Sequence, residues 1–177
     1  MRWDRVRDWF AERFGVGRSP VPREPVTLRP IGVVRNNVRE PRMDGWEHVR
    51  SDVIIREDLT PLLDGIEGYS HLIVVFAFHR LPPPEPGRTR VHPRGDERLP
   101  EQGILATRSP MRPSPLGVTV VELLRRRHNI LRVRGLDAID GTPVLDIKPY
   151  YPGHDAVPGA RVPEWARRLA GTEEAER

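Results

Sequence analysis

Three stretches of this sequence carry residues whose types and spacing suit chemistry. TRSPMRPSP (107–115) holds two arginines, two serines and three prolines. Proline fixes φ and pushes the residue before it out of helical geometry. Arg108 ends the strand-like run before it and Arg112 follows in the proline-stiffened loop, so both stand on a stiff cationic segment with little entropy left to lose. Preorganised guanidinium forks suit carboxylate or phosphate, and each charge-assisted bond is worth about 1.5–3 kcal/mol. The apolar run that ends in FHR delivers His79 and Arg80 at its tip, where a histidine serves as a hydrogen bonder or as a base. In LDIKPY, Asp146 and Lys148 lie two apart and share one face of a strand, with Ile147 on the other. They form either an ion pair or an acceptor and a donor facing one ligand. Lys148 is the single lysine of a chain that otherwise writes every cation as arginine. An ammonium is a compact point charge that a planar guanidinium does not replace.

Other chemistries find no support. With no cysteine, disulfides, iron–sulfur clusters, thiolate zinc sites and cysteine nucleophiles are excluded. The six histidines form no H-x-H or H-E-x-x-H pair, so no metal site is expected. Gly15 and Gly17 follow a helical pattern rather than a strand, which argues against a Rossmann dinucleotide site. No P-loop and no G-x-S-x-G occurs. The longest uncharged apolar run, 72–78, is far too short for a membrane span, and the first residues lack the apolar core of a secretory signal. These features point to a cytoplasmic protein. The net charge of +4 permits a polyanionic partner without demanding one. RRRH (125–128) and RVHPRGDERLP (90–100) add local positive charge suited to a phosphate backbone, and Arg126 reads as part of a solvated run.

The elements that position these residues are mostly strands. With 20 prolines and 15 glycines in 177 residues, the chain is rich in turns and is no helical bundle. Strands are expected at 28–36, 49–57, 70–80, 103–109, 116–124, 129–135 and 142–150. The continuously apolar run 70–80 fits a strand buried on both faces or at a subunit interface. One or two helical turns fit 59–68, and a short helix fits 163–170. Residues 81–101 form a long proline-rich loop. Helical crossovers are missing, so the fold class is mainly β: a small antiparallel or mixed β-barrel with short flanking helices. Three parts follow: an N-terminal helical extension and linker (1–25), the barrel domain (26–155), and a short C-terminal helix and tail (156–177). Trp3, Val6, Phe10 and Phe14 make the helical stripe of the first part.

GILATRSPMRPSPLGVTVVELL, with IEGYSHLIVVFAFHR upstream and IDGTPVLDIKPYYP downstream, resembles the TsaA/TrmO-like family over roughly residues 28–155. The family's best-known members are S-adenosylmethionine-dependent methyltransferases that modify N6 of threonylcarbamoyladenosine beside the tRNA anticodon. The resemblance implies a small barrel that dimerises, S-adenosyl-L-methionine as cofactor, tRNA as partner, and neither metal nor membrane. It also implies cofactor contacts at Pro41, Arg42 and Met43, at His79 and Arg80, at Arg108, Arg112 and Gly117, and at Asp146, Ile147, Lys148 and Pro149. His79 and Asp146 are both candidates for the catalytic base. Two departures stand out. Ser114 occupies a position where the family commonly has Asn. Bacterial tRNA-acting members continue into a further C-terminal domain, whereas only residues 156–177 follow the barrel block here. A methyltransferase acting on a small molecule, or a non-catalytic nucleoside- or RNA-binding module, are the alternative readings.

Overall fold

Most strands alternate apolar and polar residues, and this period of two gives each one a face for an interior. The computed structural model describes residues 25–82 and 87–169. The strands are β1 (Gly32–Arg35), β2 (Arg50–Ile55), β3 (His71–Ala77), β4 (Arg90–Val91), β5 (Gln102–Gly103), β6 (Leu116–Arg127), β7 (Ile130–Arg134) and β8 (Pro143–Pro149). Six of them close into a barrel in the order β1-β2-β7-β6-β3-β8, with β8 returning to β1. Every pairing is antiparallel, and β4 and β5 form a separate two-stranded ladder. Closure removes the exposed sheet edge that an open β-sheet must protect.

The interior is filled by Val34, Val53, Ile55, Leu72, Val74, Phe76, Val121, Leu131, Val133 and Val144. Each such burial is worth about 1.5–3 kcal/mol, against about 0–1 kcal/mol for an exposed ion pair, so the interior rather than the many surface arginines sets stability. One end of the barrel is shut. The 3₁₀ turns Glu57–Leu63 and Ile66–Gly68 lay Leu59, Leu63, Ile66 and Tyr69 against it. Arg126 ties them down. Its guanidinium donates to the Leu63 carbonyl at 2.9 Å, to Asp64 at 3.0 Å and to Glu67 at 3.2 Å, and its Nε donates to the His128 carbonyl at 3.0 Å. The solvated reading of Arg126 is thereby corrected: its side chain is 15% exposed, because on β6 it lies opposite the buried Leu131.

Two further expectations change. The strand expected at 103–109 is only Gln102–Gly103, followed by a 3₁₀ turn at Ile104–Ala106. Thr107 accepts from the Ser109 amide and Ser109 from the Met111 amide, and such side-chain turns compete with a ladder. Arg108 therefore sits on a loop rather than at a strand end. The run at 70–80 is not buried on both faces: Leu72, Val74 and Phe76 point inward, while Ile73, Val75 and Ala77 face outward and are half-buried. The helices are α1 (Pro152–Asp155) and α2 (Glu164–Leu169), the second near its expected place. The N-terminal helix, the linker up to residue 24, residues 83–86 of the proline-rich loop and the tail from 170 lie outside the described residues. Among the described residues no helix is long and apolar enough to cross a membrane.

Gly117 on β6 lies opposite Phe76 on β3, and a Cβ there would fall 2.3 Å from the Phe76 ring. Gly117→Ala is expected to destabilise the barrel by about 1–3 kcal/mol, the usual cost of overpacking. Urea denaturation measures this, and an unshifted midpoint would contradict the contact.

Candidate functional site

With one end shut, the loops at the other end carry the site. They are the β1–β2 loop (36–49), the exit of β3 (78–82), the stiff loop at 107–115 and the β7–β8 loop (135–142). These surround a cavity of about 380 Å³, within the range of small-molecule sites. Phe76 and Phe78 form its floor, in edge-to-face contact at 5.3 Å. Ala138, Ile139, Leu81 and Pro110 extend the apolar lining. Pro41, Arg42, Met43, His79, Arg80 and Arg108 stand around the wall.

Asn36, at the end of β1, locks two of these loops together. Its Nδ2 donates to Ser51 Oγ at 2.9 Å and to the Ala138 carbonyl at 2.8 Å, and its Oδ1 accepts from the Val38 amide at 2.9 Å. Its own amide donates to Asp140 at 3.1 Å. Asp140 also accepts from Arg39 at 2.6 Å. Such a satisfied network fixes the loops more firmly than any one bond does. Further along, the Arg42 guanidinium lies 4.9 Å above the Trp46 ring and donates to the Gly45 carbonyl at 2.7 Å, while Trp46 Nε1 donates to the Arg42 carbonyl at 3.0 Å. Gly45 has φ 77°, a turn conformation that glycine adopts without penalty. Arg80 donates to the Arg39 carbonyl at 3.1 Å. Arg108 has no hydrogen bond or ion pair among the described residues, which leaves an uncommitted cation at the cavity wall.

His79 stands at the rim with no hydrogen-bond partner for its ring among the described residues. Partial desolvation, with the Arg80 cation beside it, holds its pKa below the usual 6.5. The imidazole is therefore neutral at neutral pH and has a nitrogen lone pair free to accept a proton. Asp137, Ala138, Ile139 and Thr142 also line the cavity. The sequence reading missed them, although the IDGTPVLDIKPYYP stretch begins within this segment; it assigned this part of the site to the strand that follows instead. Asn36 and Trp46 were missed too, and neither stands in a pattern that distinguishes it from loop residues.

The expected site residues divide. Pro41, Arg42, Met43, His79, Arg80 and Arg108 meet at the cavity. Arg112 lines an adjoining hollow with Phe78 and Leu81, and Gly117 makes room for the Phe76 floor. Residues 146–149 lie elsewhere. Ile147 turns inward against the core, and with Pro149 it borders a hollow at the shut end. Asp146 and Lys148 face outward, paired at 2.7 Å beside Val75 and Ile73. Within one chain these two are an ion pair on the barrel wall. Among the described residues no cluster of histidine and carboxylate side chains is placed to hold a metal.

Residues 35–156 match the family described as the tRNA-methyltransferase O N-terminal domain. A probable S-adenosyl-L-methionine-binding protein of Methanothermobacter thermautotrophicus is 40% identical over 136 residues, covering 75% of this chain and 95% of the relative. The tRNA (adenine(37)-N6)-methyltransferase of Escherichia coli is 36% identical over 157 residues, covering 84% of this chain but 60% of the enzyme. A crystal structure of TrmO from Pseudomonas aeruginosa superposes with a TM-score of 0.66 at 30% identity, over 82% of this chain and 63% of that one. The chain thus spans nearly all of the archaeal relative and about three fifths of the bacterial ones.

The depressed pKa has a measurable sign. Between its folded value and 6.5 the unfolded chain binds the His79 proton more readily, so stability falls as pH drops through that window. An NMR titration is expected to place the His79 midpoint below 6.5, and Arg80→Gln is expected to move it upward by removing the neighbouring cation. A midpoint at or above 6.5 in the unmodified protein would be incompatible with the site as described.

Proposed function

The chain belongs to the family of the tRNA-methyltransferase O N-terminal domain, and from that premise we propose that it is an S-adenosylmethionine-dependent methyltransferase acting on tRNA. The observation that carries this reading is the cavity between the loops at the open end of the barrel. The finer reading is N6-methylation of threonylcarbamoyladenosine beside the anticodon, by a dimer in the cytoplasm.

The residues present fit the cofactor. Phe78, backed by the buried Phe76, offers with Leu81 and Ile139 an apolar surface for an adenine ring. Arg108, uncommitted within the chain, offers a guanidinium for the amino-acid carboxylate. When bound, S-adenosylmethionine supplies a methyl group on a sulfonium, an electrophile that needs no acid to activate it. The chain's own task is then to position and to accept a proton. Rigid loops that hold two reactants in line can remove several kcal/mol of barrier, and the Asn36 network and the prolines at 110, 113 and 115 supply that rigidity. A ring nitrogen of His79, neutral at pH 7, takes the proton released by the acceptor nitrogen. Asp146, the other candidate base, is held by Lys148 on the outer wall.

A second copy accounts for the outer wall. Ile73 and Val75 of β3 lie beside Val118 and Val120 of β6, which are 54% and 48% exposed. An isologous pairing across this apolar strip removes it from water and puts residues 146–149 at the interface, so that one copy's segment flanks the other's barrel.

Two experiments test the reading. Calorimetry should show S-adenosylmethionine binding that survives EDTA and weakens about tenfold or more in Arg108→Gln, as the loss of a charge-assisted bond requires. Mass spectrometry of tRNA nucleosides after incubation should show one added methyl on an adenosine derivative; absence of both binding and transfer would refute the proposal. The dimer is checked by light scattering: Val118→Asp with Val120→Asp should halve the particle mass, and a monomeric unmodified protein at tens of micromolar would rule it out.

A further inference from the structure

The wall opposite the apolar strip carries a different surface. Its outward positions on β2, β7 and the second half of β6 hold Arg50, Arg132, Arg134, Arg125 and Arg127 beside Asp52, Glu122, Ile54 and Ile130. One rung runs across four strands as Arg35, Asp52, Arg132, Arg125. The neighbouring rung runs Arg50, Arg134, Glu122, and Arg127 continues the β6 edge. Two carboxylates are already taken. Arg132 binds Asp52 through two hydrogen bonds of 2.7 Å, and Arg134 pairs with Glu122. Arg50, Arg125 and Arg127 are exposed and make no ion pair among the described residues.

Stability does not account for this arrangement. Like charges directly opposite on neighbouring strands do not stabilise a sheet; Arg134 and Arg132 are balanced by Glu122 and Asp52, but Arg50 and Arg125 stand opposite them as surplus cations. Arginine's dominance as the chain's cation accounts for the residue type but not for setting like charges opposite each other on adjacent rungs. An anionic partner turns that repulsion into attraction. Along a strand, positions two apart are about 6.6 Å from one another, a spacing comparable to that of successive phosphates along a nucleic-acid strand. At the upper end of the wall a polar basin of about 420 Å³ is bordered by Arg35, Arg50 and Arg132, by Asn36, Asn37 and Ser51, and by Asp52 and Asp140, whose carboxylates pair with Arg132 and Arg35 and leave Arg50 as its free cation among the described residues. Asn36 is also the residue that locks the cavity loops, so the basin lies at the root of the loop that carries Pro41–Arg42–Met43.

We propose that the arginine wall of β2, β7 and β6 docks the sugar–phosphate backbone of the RNA whose base enters the cavity. This rests on the methyltransferase reading for the identity of the RNA, but not for the surface itself. Phosphates lie against Arg50 at the rim of the basin and against Arg125 and Arg127 along the β6 edge, while the apolar strip is left for the second copy. Contacts of this kind hold RNA without reading its sequence, so the wall sets affinity and orientation, and the cavity sets which nucleotide reacts.

The test uses the triple variant Arg50→Gln, Arg125→Gln, Arg127→Gln, with Arg29→Gln, Arg56→Gln, Arg161→Gln as a control that removes equal charge elsewhere. Binding of total tRNA is measured across a salt series, and S-adenosylmethionine binding by calorimetry. The wall variant is expected to bind tRNA at least tenfold more weakly. Its slope of log K against log salt should be shallower by about two, as the loss of three phosphate contacts requires. Its cofactor affinity should be that of the unmodified protein, its thermal midpoint should be equal or higher because opposed like charges are relieved, and the control should bind tRNA as the unmodified protein does. Equal tRNA affinity and slope in the wall variant overturns the proposal. So does an equal loss in the control, or a preference for anionic phospholipid vesicles with no binding of tRNA. A protein that binds tRNA through this wall but no S-adenosylmethionine supports the surface and refutes the activity.

Discussion

The close approach of β3 and β6 at Phe76 and Gly117 is the contact on which the rest of the site depends. Phe76 is fully buried and belongs at once to the barrel interior and to the cavity floor. Its ring occupies the space that any side chain at position 117 would need. That choice sets the level at which the hydrophobic interior stops and the cavity begins. Phe78 packs edge-to-face on the same ring, and its amide donates to the Pro115 carbonyl at 2.9 Å. The exit of β3 and the end of the proline loop are thus joined at the floor itself, one residue before His79, which puts His79 and Arg108 on the same opening.

A closed barrel has two ends and an outer wall, and this chain gives each a separate task. The shut end is sealed by Leu59, Leu63 and Ile66 and held by the charge-assisted bonds of Arg126. The open end gathers four loops whose geometry is set by polar contacts, chiefly those of Asn36 and Asp140. Closure fixes the strands, so the loops at the open end can be shaped by local hydrogen bonds without risk to the fold. The outer wall is apolar along β3 and the first half of β6, and cationic along the second half of β6 with β7 and β2. The long β6 changes partner midway, pairing with β3 up to Glu122 and with β7 from there on. A single strand thereby borders both surfaces and keeps them apart.

The barrel was legible in the sequence because its signal is local. Seven strand-like spans, with alternation along 129–135 and missing helical crossovers, were enough to expect a small β-barrel, and β2, β7 and β8 lie within the spans expected at 49–57, 129–135 and 142–150. GILATRS misled because Ile104 and Leu105 look like strand residues, while hydroxyl-mediated turns at Thr107 and Ser109 and a lack of any free edge decide otherwise. Of the two alternatives expected for 70–80, burial on both faces within the chain does not hold, for another reason. Ile73 and Val75 are apolar as interior residues are, yet they face outward, and alternation cannot be seen in a run that is apolar throughout. Arg126 was invisible as a buried anchor because its neighbours in the chain, Arg125 and Arg127, are the same residue facing solvent.

Residue types and spacing alone determined that this chain carries a stiff cationic loop, a strand-end His–Arg pair and an Asp–Lys pair on one strand face, and that no thiolate chemistry is available. These are properties of covalent structure, of φ restriction by proline and of the two-residue strand period. Only the tertiary structure decided which of them meet. His79 and Arg108 come to one cavity because β3 and the proline loop are joined at Pro115 and Phe78. Asp146 and Lys148 do not, because the same two-residue period that puts them on a common face puts that face outside. Barrel closure fixes which side is inside, and closure is a property of six strands at once, which no one stretch of sequence contains.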